Sequence, residues 1–235
     1  MTKIIGISLV KNEDIFIGRA IENAIDFCDE LIVLDNNSDD NTWDILYDLS
    51  KKYKKINLIK WKDHKDSHIV LDKYIGLDYW IFGVDGDEIY DSNGLKKLKP
   101  LLLGGEYNDY FNIKGHSLHC SLNEYPFFHG YMNGAKSICK LYNFSILKSW
   151  NQRERLHHGR PKLKNNLKWK TLNMREGPWD DSFFRCLHMC FTRRSSLDFN
   201  DDPRQPPVGC VPNNKNRKYK KGELLKLRAD FYEKP

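Results

Sequence analysis

Four apolar runs of strand length punctuate the first ninety residues: "IIGISLV", "LIVLD", "INLIKW" and "YWIFGVD". Continuous apolar runs, as opposed to alternating ones, belong to strands buried on both faces. The intervals between them read as helices. Ile17, Ile21, Ala24 and Cys28 fall at helical spacing behind Asn12 or Asp14 as N-cap, and "DDNTWDILYDLSKKY" opens with capping residues and sets Ile45, Leu49 and Lys52 or Tyr53 along one side. Strand and helix in alternation predict an α/β fold, a Rossmann-like, mostly parallel sheet flanked by helices with right-handed crossovers.

After one more helix, "DSNGLKKLKPLLLGG", the rhythm changes. Residues 107–150 hold short aromatic-rich pieces that predict a smaller antiparallel region, and residues 151–185 are polar, basic and without a readable period. From "DFNDDPRQPPVGCVPNN" onward the chain reads as a proline-rich connection to a basic terminal helix around "KKGELLKLRADFYE". The expected organisation is one domain over 1–196, with halves 1–104 and 105–196, followed by a tail over 197–235. A chain of 235 residues, 40% hydrophobic, can bury such a core.

The net charge of +6 is uneven, with basic stretches at "RERLHHGRPKLKNNLKWK" and "NNKNRKYKKGELLKLR". They point to an anionic partner. No aromatic-basic recognition module accompanies them, so nucleic acid is not expected, and the tail offers a peripheral membrane contact instead. Six scattered cysteines without a CxxC pair fit free thiols in a reducing compartment and argue against structural zinc. With no signal-peptide pattern at the start and no apolar stretch approaching about twenty residues, the expected location is cytoplasmic.

Polar residues collect where the strands end: "KNED", "DNNSDDNT" and "DGDE". In open parallel sheets ligands bind at those carboxyl ends. None of the three is a glycine-rich phosphate loop. Asp85 and Asp87 lie two apart, so in extended backbone both point the same way, and two carboxylates that close repel unless a cation or proton lies between them. Hard Mg²⁺ or Mn²⁺ suits such oxygens. The alternatives are a plain Asp-Gly turn and a calcium loop, the latter opposed by Ile89 and Tyr90 at its fifth and sixth places.

In order, "SLVKNEDIFIGRAIENAIDFCDELIVLDNNSDDNTWDIL" and "WIFGVDGDE" resemble the donor-binding half of GT-A glycosyltransferases of the inverting family 2 type. The resemblance is strongest over residues 4–91 and extends to about 196. It implies the GT-A fold, a nucleoside-diphosphate sugar donor with UDP favoured, Mn²⁺ or Mg²⁺, and a glycan, lipid-linked or protein hydroxyl as acceptor. It places Val10, Lys11, Asn12 and Glu13 around base and ribose and Asp35 on the nucleoside beside Asn36 and Asn37. Asp85, Gly86 and Asp87 fall at the metal and diphosphate.

"CLHMCFTRRSS" resembles the family's late segment and assigns His188 to the metal, with Arg193 and Arg194 as phosphate partners. A core histidine and a solvated face are the alternatives. Inversion needs a general base. His158 stands where relatives often carry glutamate, and Asp180 and Asp181, flanked by Trp179, Phe183 and Phe184, are the carboxylate candidates; Asp181 is equally an N-cap. His64 and His68, and Cys186 and Cys190, share a four-residue spacing without a further ligand nearby, so a solvated helix start and core thiols are expected. Competing functions are a sugar-1-phosphate nucleotidylyltransferase and a non-catalytic nucleotide-sugar or glycan binder.

Overall fold

The computed structural model describes residues 1–132, 139–151, 160–165, 167–198 and 225–233. The four apolar runs form strands β1 (Lys3–Val10), β2 (Glu30–Asp35), β3 (Ile56–Lys60) and β4 (Tyr79–Gly83). They are parallel, in the order β4-β1-β2-β3. Helices α1 (Ile17–Ala24), α2 (Thr42–Lys52) and α3 (Ser92–Leu103) follow β1, β2 and β5 (Glu88–Tyr90).

Strand periodicity sends alternate residues to opposite faces, and here both faces are buried. Ile4, Leu31, Val33, Trp80 and Phe82 pack with Ile17, Ile21, Leu46 and Leu98 from the three helices. Ile5, Ile7, Ile32, Leu34 and Ile81 pack on the opposite side with Leu71, Tyr74, Phe144 and Trp150. That double burial is why the runs are continuous.

The later strands are β6 (Asn112–Lys114), β7 (His116–Glu124), β8 (Phe127–Met132), β9 (Cys139–Asn143), β10 (Leu147–Asn151), β11 (Arg160–Leu163), β12 (Thr171–Asn173), β13 (Arg185–His188) and β14 (Leu225–Arg228). Antiparallel β9 joins β4 to β6, and β12 completes a seven-stranded sheet, β12-β6-β9-β4-β1-β2-β3. A second sheet runs β14-β8-β7-β13-β5. Residues 84–87 therefore carry the chain from one sheet into the other. The architecture is the expected GT-A α/β arrangement, with a smaller and mostly antiparallel second region.

Three local expectations change. The interval between β3 and β4 is a 3-10 segment, His64–Tyr74, whose Leu71 and Tyr74 enter the second core. Helix α1 begins without a side-chain cap, because Asn12 and Asp14 are engaged across loops with Asp39 and Ser196. The tail's expected helix is strand over 225–228, where Leu225 and Leu227 alternate with exposed residues and the strand pairs with β8. Phe231 and Tyr232 then bury themselves against the second sheet, and Asn23 Nδ2 donates to the carbonyls of Phe231 and Tyr90 at 2.7 and 2.9 Å. No helix among the described residues is long and apolar enough to cross a membrane.

Gly94 opens α3 against the Phe183 backbone; a Cβ there would lie 2.3 Å from the Phe183 carbonyl oxygen. Alanine favours helix over glycine by about 1 kcal/mol, but overpacking against backbone costs about 1–3 kcal/mol. Gly94→Ala is expected to lower stability, read as a lower urea midpoint at an unchanged slope.

Candidate active site

The chain runs outward from β1 to β2 and β3 and then returns past β1 to β4, so the strand order reverses at β1 and a crevice opens at the carboxyl ends of β1 and β4. A cavity of about 620 Å³ occupies that place. Val10, Lys11 and Glu13 line it from the β1 side, Asn36 from β2, Asp85, Gly86 and Asp87 from β4, and His188 and Arg194 from the late segment. His64 and Ser67 of the 3-10 segment close its far wall.

The acidic stretch is a turn as well as a cluster of ligands. Glu88 N donates to Asp85 O at 3.1 Å. Gly86 is required there, since a Cβ would meet Glu13 Cβ at 2.9 Å. Each carboxylate faces a cation. Asp87, buried, faces His188 Nε2 at 3.3 Å and Arg194 Nη1 at 3.2 Å. Lys140, almost fully buried, pairs with Asp85 and lies 2.6 Å from fully buried Glu88. Tyr90 hydroxyl donates to Glu88 at 3.1 Å.

Burial and pairing compete at each group. Burial opposes charge on Asp87, but His188 and Arg194 outweigh it and hold the carboxyl below its usual range. For Glu88 burial wins over Lys140 and the pKa rises. Burial, then the Asp87 charge, pushes Glu13 up to about 9 despite Arg194 at 3.2 Å. Burial disfavours charge on His188, and Asp87 overcomes it. His119, whose Nδ1 is 3.0 Å from His188 Nδ1, is pushed down to about 4 by burial.

Several expected residues support the crevice without lining it. Asp35 is fully buried and accepts from Ser38 N at 3.3 Å, while Ser38 Oγ accepts from Asn12 N at 3.0 Å. Asn12 and Asn37 adopt φ of 55° and 54°, a left-handed geometry that asparagine tolerates best among residues with a side chain. Of the two arginines, Arg193 folds back onto the Ser195 and Ser196 carbonyls, and Arg194 reaches the site. The assignment of Arg193 is corrected accordingly.

Asp180 and Asp181 are not brought to the crevice. They sit exposed on a 3-10 turn, Trp179–Asp181, with Asp180 accepting from Arg185 Nη1 at 3.1 Å. Arg185 begins β13 and His188 ends it, a separation of about 10 Å along the strand. Trp179 is buried against Phe231 and Phe184 lies in the core, so neither is a sugar platform. His158 lies outside the described residues.

Sequence reasoning missed Lys140, although a lysine inside the apolar strand "ICKLYNF" was a visible anomaly. It also missed the ties that seat Arg194: Ser195 Oγ donates to Asp40 at 2.6 Å, and Ser196 N donates to Asp14 at 2.7 Å. Nothing local marks those pairs.

The donor set fits a hard divalent cation. Carboxylate oxygens of Asp85 and Asp87 and one imidazole nitrogen border the same cavity. Beside them Glu13 Oε2 is buried with no hydrogen-bond partner among the described residues. Fold and site together have the GT-A architecture. Residues 7–199 match glycosyl transferase family 2, and the chain belongs to that family.

Solved structures are similar to the chain at low identity. Staphylococcus aureus TarS is 17% identical over 63% of this chain and 29% of its own, with a TM-score of 0.42. TarS 1-349 in complex with UDP gives 14%, 63%, 40% and 0.37. Glucosyl-3-phosphoglycerate synthase from Mycobacterium tuberculosis, in complex with Mn²⁺, UDP and glucosyl-3-phosphoglycerate, gives 21%, 50%, 44% and 0.35. The chain spans less than half the length of each. No curated protein sequence matches it.

Lys140→Met leaves Glu88 buried without its cation, a loss of about 3 kcal/mol. Without Lys140 the folded pKa of Glu88 lies still further above its unfolded value, so the folded state binds the extra proton and stability falls as pH rises. Urea unfolding should show a larger loss at mildly alkaline than at mildly acid pH; a pH-independent loss would place the lysine's role in packing alone.

Proposed function

We propose that this protein transfers a sugar from a nucleoside-diphosphate donor, with uridine as the base the family resemblance favours, to an acceptor hydroxyl with inversion and with a divalent cation. The observation that carries this reading is the convergence of Asp85, Asp87, His188 and Arg194 on one crevice at the switch point of the sheet. Asp85, Asp87 and His188 would hold Mn²⁺ or Mg²⁺. When bound, that ion supplies Lewis-acid neutralisation of the departing diphosphate.

The chain's own groups do the rest. Arg194 is partly exposed and is held by Glu13 and Asp87, a placement from which its guanidinium can turn to phosphate oxygens. Lys11 adds charge at the lip. Asn36, Ile7 and Leu9 offer a partly apolar wall for a base. With Asp180 and Asp181 at the other end of β13, His158 remains as the proposed base for the attacking hydroxyl. The acceptor is proposed as a glycan, lipid-linked or protein hydroxyl, and the setting as cytoplasmic.

Calorimetry with UDP-, GDP-, dTDP- and CDP-sugars tests the donor site. One nucleoside should bind only with Mn²⁺, and Asp87→Ala should weaken it at least a hundredfold while the fold is kept. Mn²⁺-independent binding, or unchanged affinity in Asp87→Ala, would sink the assignment. Arg194→Ala should weaken binding about tenfold, the loss of one charge-assisted contact of about 1.5 kcal/mol.

A further inference from the structure

Behind His188, on the side away from Asp87, three metal-ligating atoms converge that the donor site does not use. His188 Nδ1 lies 3.0 Å from His119 Nδ1, and Cys190 Sγ lies 3.5 Å from the same nitrogen. All three atoms fall within 4.8 Å of one another. With Zn–N bonds of about 2.0–2.1 Å and Zn–S bonds of about 2.3 Å, tetrahedral ligands stand roughly 3.3–3.7 Å apart; the two spacings from His119 are within a few tenths of an ångström of that range, and the His188–Cys190 pair lies within 4.8 Å.

We infer that His119, His188 and Cys190 form a binding site for a thiophilic divalent cation, Zn²⁺ by chemistry, which shares only His188 with the carboxylate site in the crevice. Two imidazoles and one thiolate make a soft set, unlike the hard oxygens of Asp85 and Asp87. His188 is shared: its Nε2 faces Asp87 at 3.3 Å, so with Mg²⁺ on the carboxylates alone that nitrogen keeps its proton for Asp87, and with a cation on each nitrogen the ring would bridge as an imidazolate. His119 is buried and its Nε2 has no hydrogen-bond partner among the described residues. Phe191, with its ring 6.5 Å from that of His119, helps keep the place dry. Three protein ligands leave a fourth position for water or thiol.

The test uses the whole chain, stripped of metal and held in excess Mg²⁺ to occupy the carboxylates, titrated with Co²⁺. One equivalent should give thiolate-to-cobalt charge transfer with the intense visible bands of a tetrahedral ion, and Zn²⁺ should displace it. Cys190→Ser should lose the charge-transfer band, His119→Asn should bind Co²⁺ at least tenfold more weakly, and Asp85→Asn should keep the band. Absence of the band in the unmodified protein, its survival in Cys190→Ser, or its loss in Asp85→Asn would each overturn the site. Should Cys190→Ser not fold, unchanged Co²⁺ affinity in His119→Asn decides against it. None of these readouts depends on nucleotide binding, so failure here and failure of the donor site are distinguishable.

Discussion

Three carboxylates within residues 85–88 would repel one another strongly: unit charges 4 Å apart at an effective dielectric of 20 interact by about 4 kcal/mol. The chain keeps them at the junction of its two sheets because three cations arrive there from elsewhere. Lys140 comes from β9, His188 from β13 and Arg194 from the loop beyond it. Each lies at least fifty residues further on in sequence. The first half of the chain is therefore not electrostatically complete without the second half.

The three cations differ in what they can exchange. Lys140 has a side chain only 5% exposed and serves two acids, so removing it strands a buried charge. Arg194 is 29% exposed and shares Glu13 with the crevice. Its loop is held by hydroxyl and amide bonds to Asp40 and Asp14, each worth about 0.5–1.5 kcal/mol. In the proposed function a diphosphate would compete for the arginine without dismantling the acid cluster. Structure and ligand binding are thus divided between a permanent cation and an exchangeable one.

What could be read from the sequence followed the range of the interactions. The four central strands, the three α-helices and the carboxylate pair were legible because burial on both faces and residue spacing are local properties. The strand at 225–228 was not, since its basic residues look helical until β8 offers an edge. Asp180 and Asp181 misled for a similar reason. Aromatic neighbours beside acids imitate a sugar subsite, but Trp179 is buried by Phe231, about fifty residues away in sequence. Arg193 and Arg194 were indistinguishable in the chain, and only the turn around Ser195 decides which one faces Asp87.

Sheet register explains how the acid cluster and the soft cluster come to share one histidine. In the second sheet His188 pairs with Glu88 on β5 and with His119 on β7. Neighbours across a ladder share a face of the sheet, so one rung sets the end of the acidic turn, His188 and His119 side by side. His119 and His188 are 69 residues apart, beyond any motif spacing. The same rung fixes the ring of His188 with one nitrogen toward Asp87 and the other toward His119. A substitution that slipped β13 by one residue would turn His188 to the opposite face and remove it from both clusters at once.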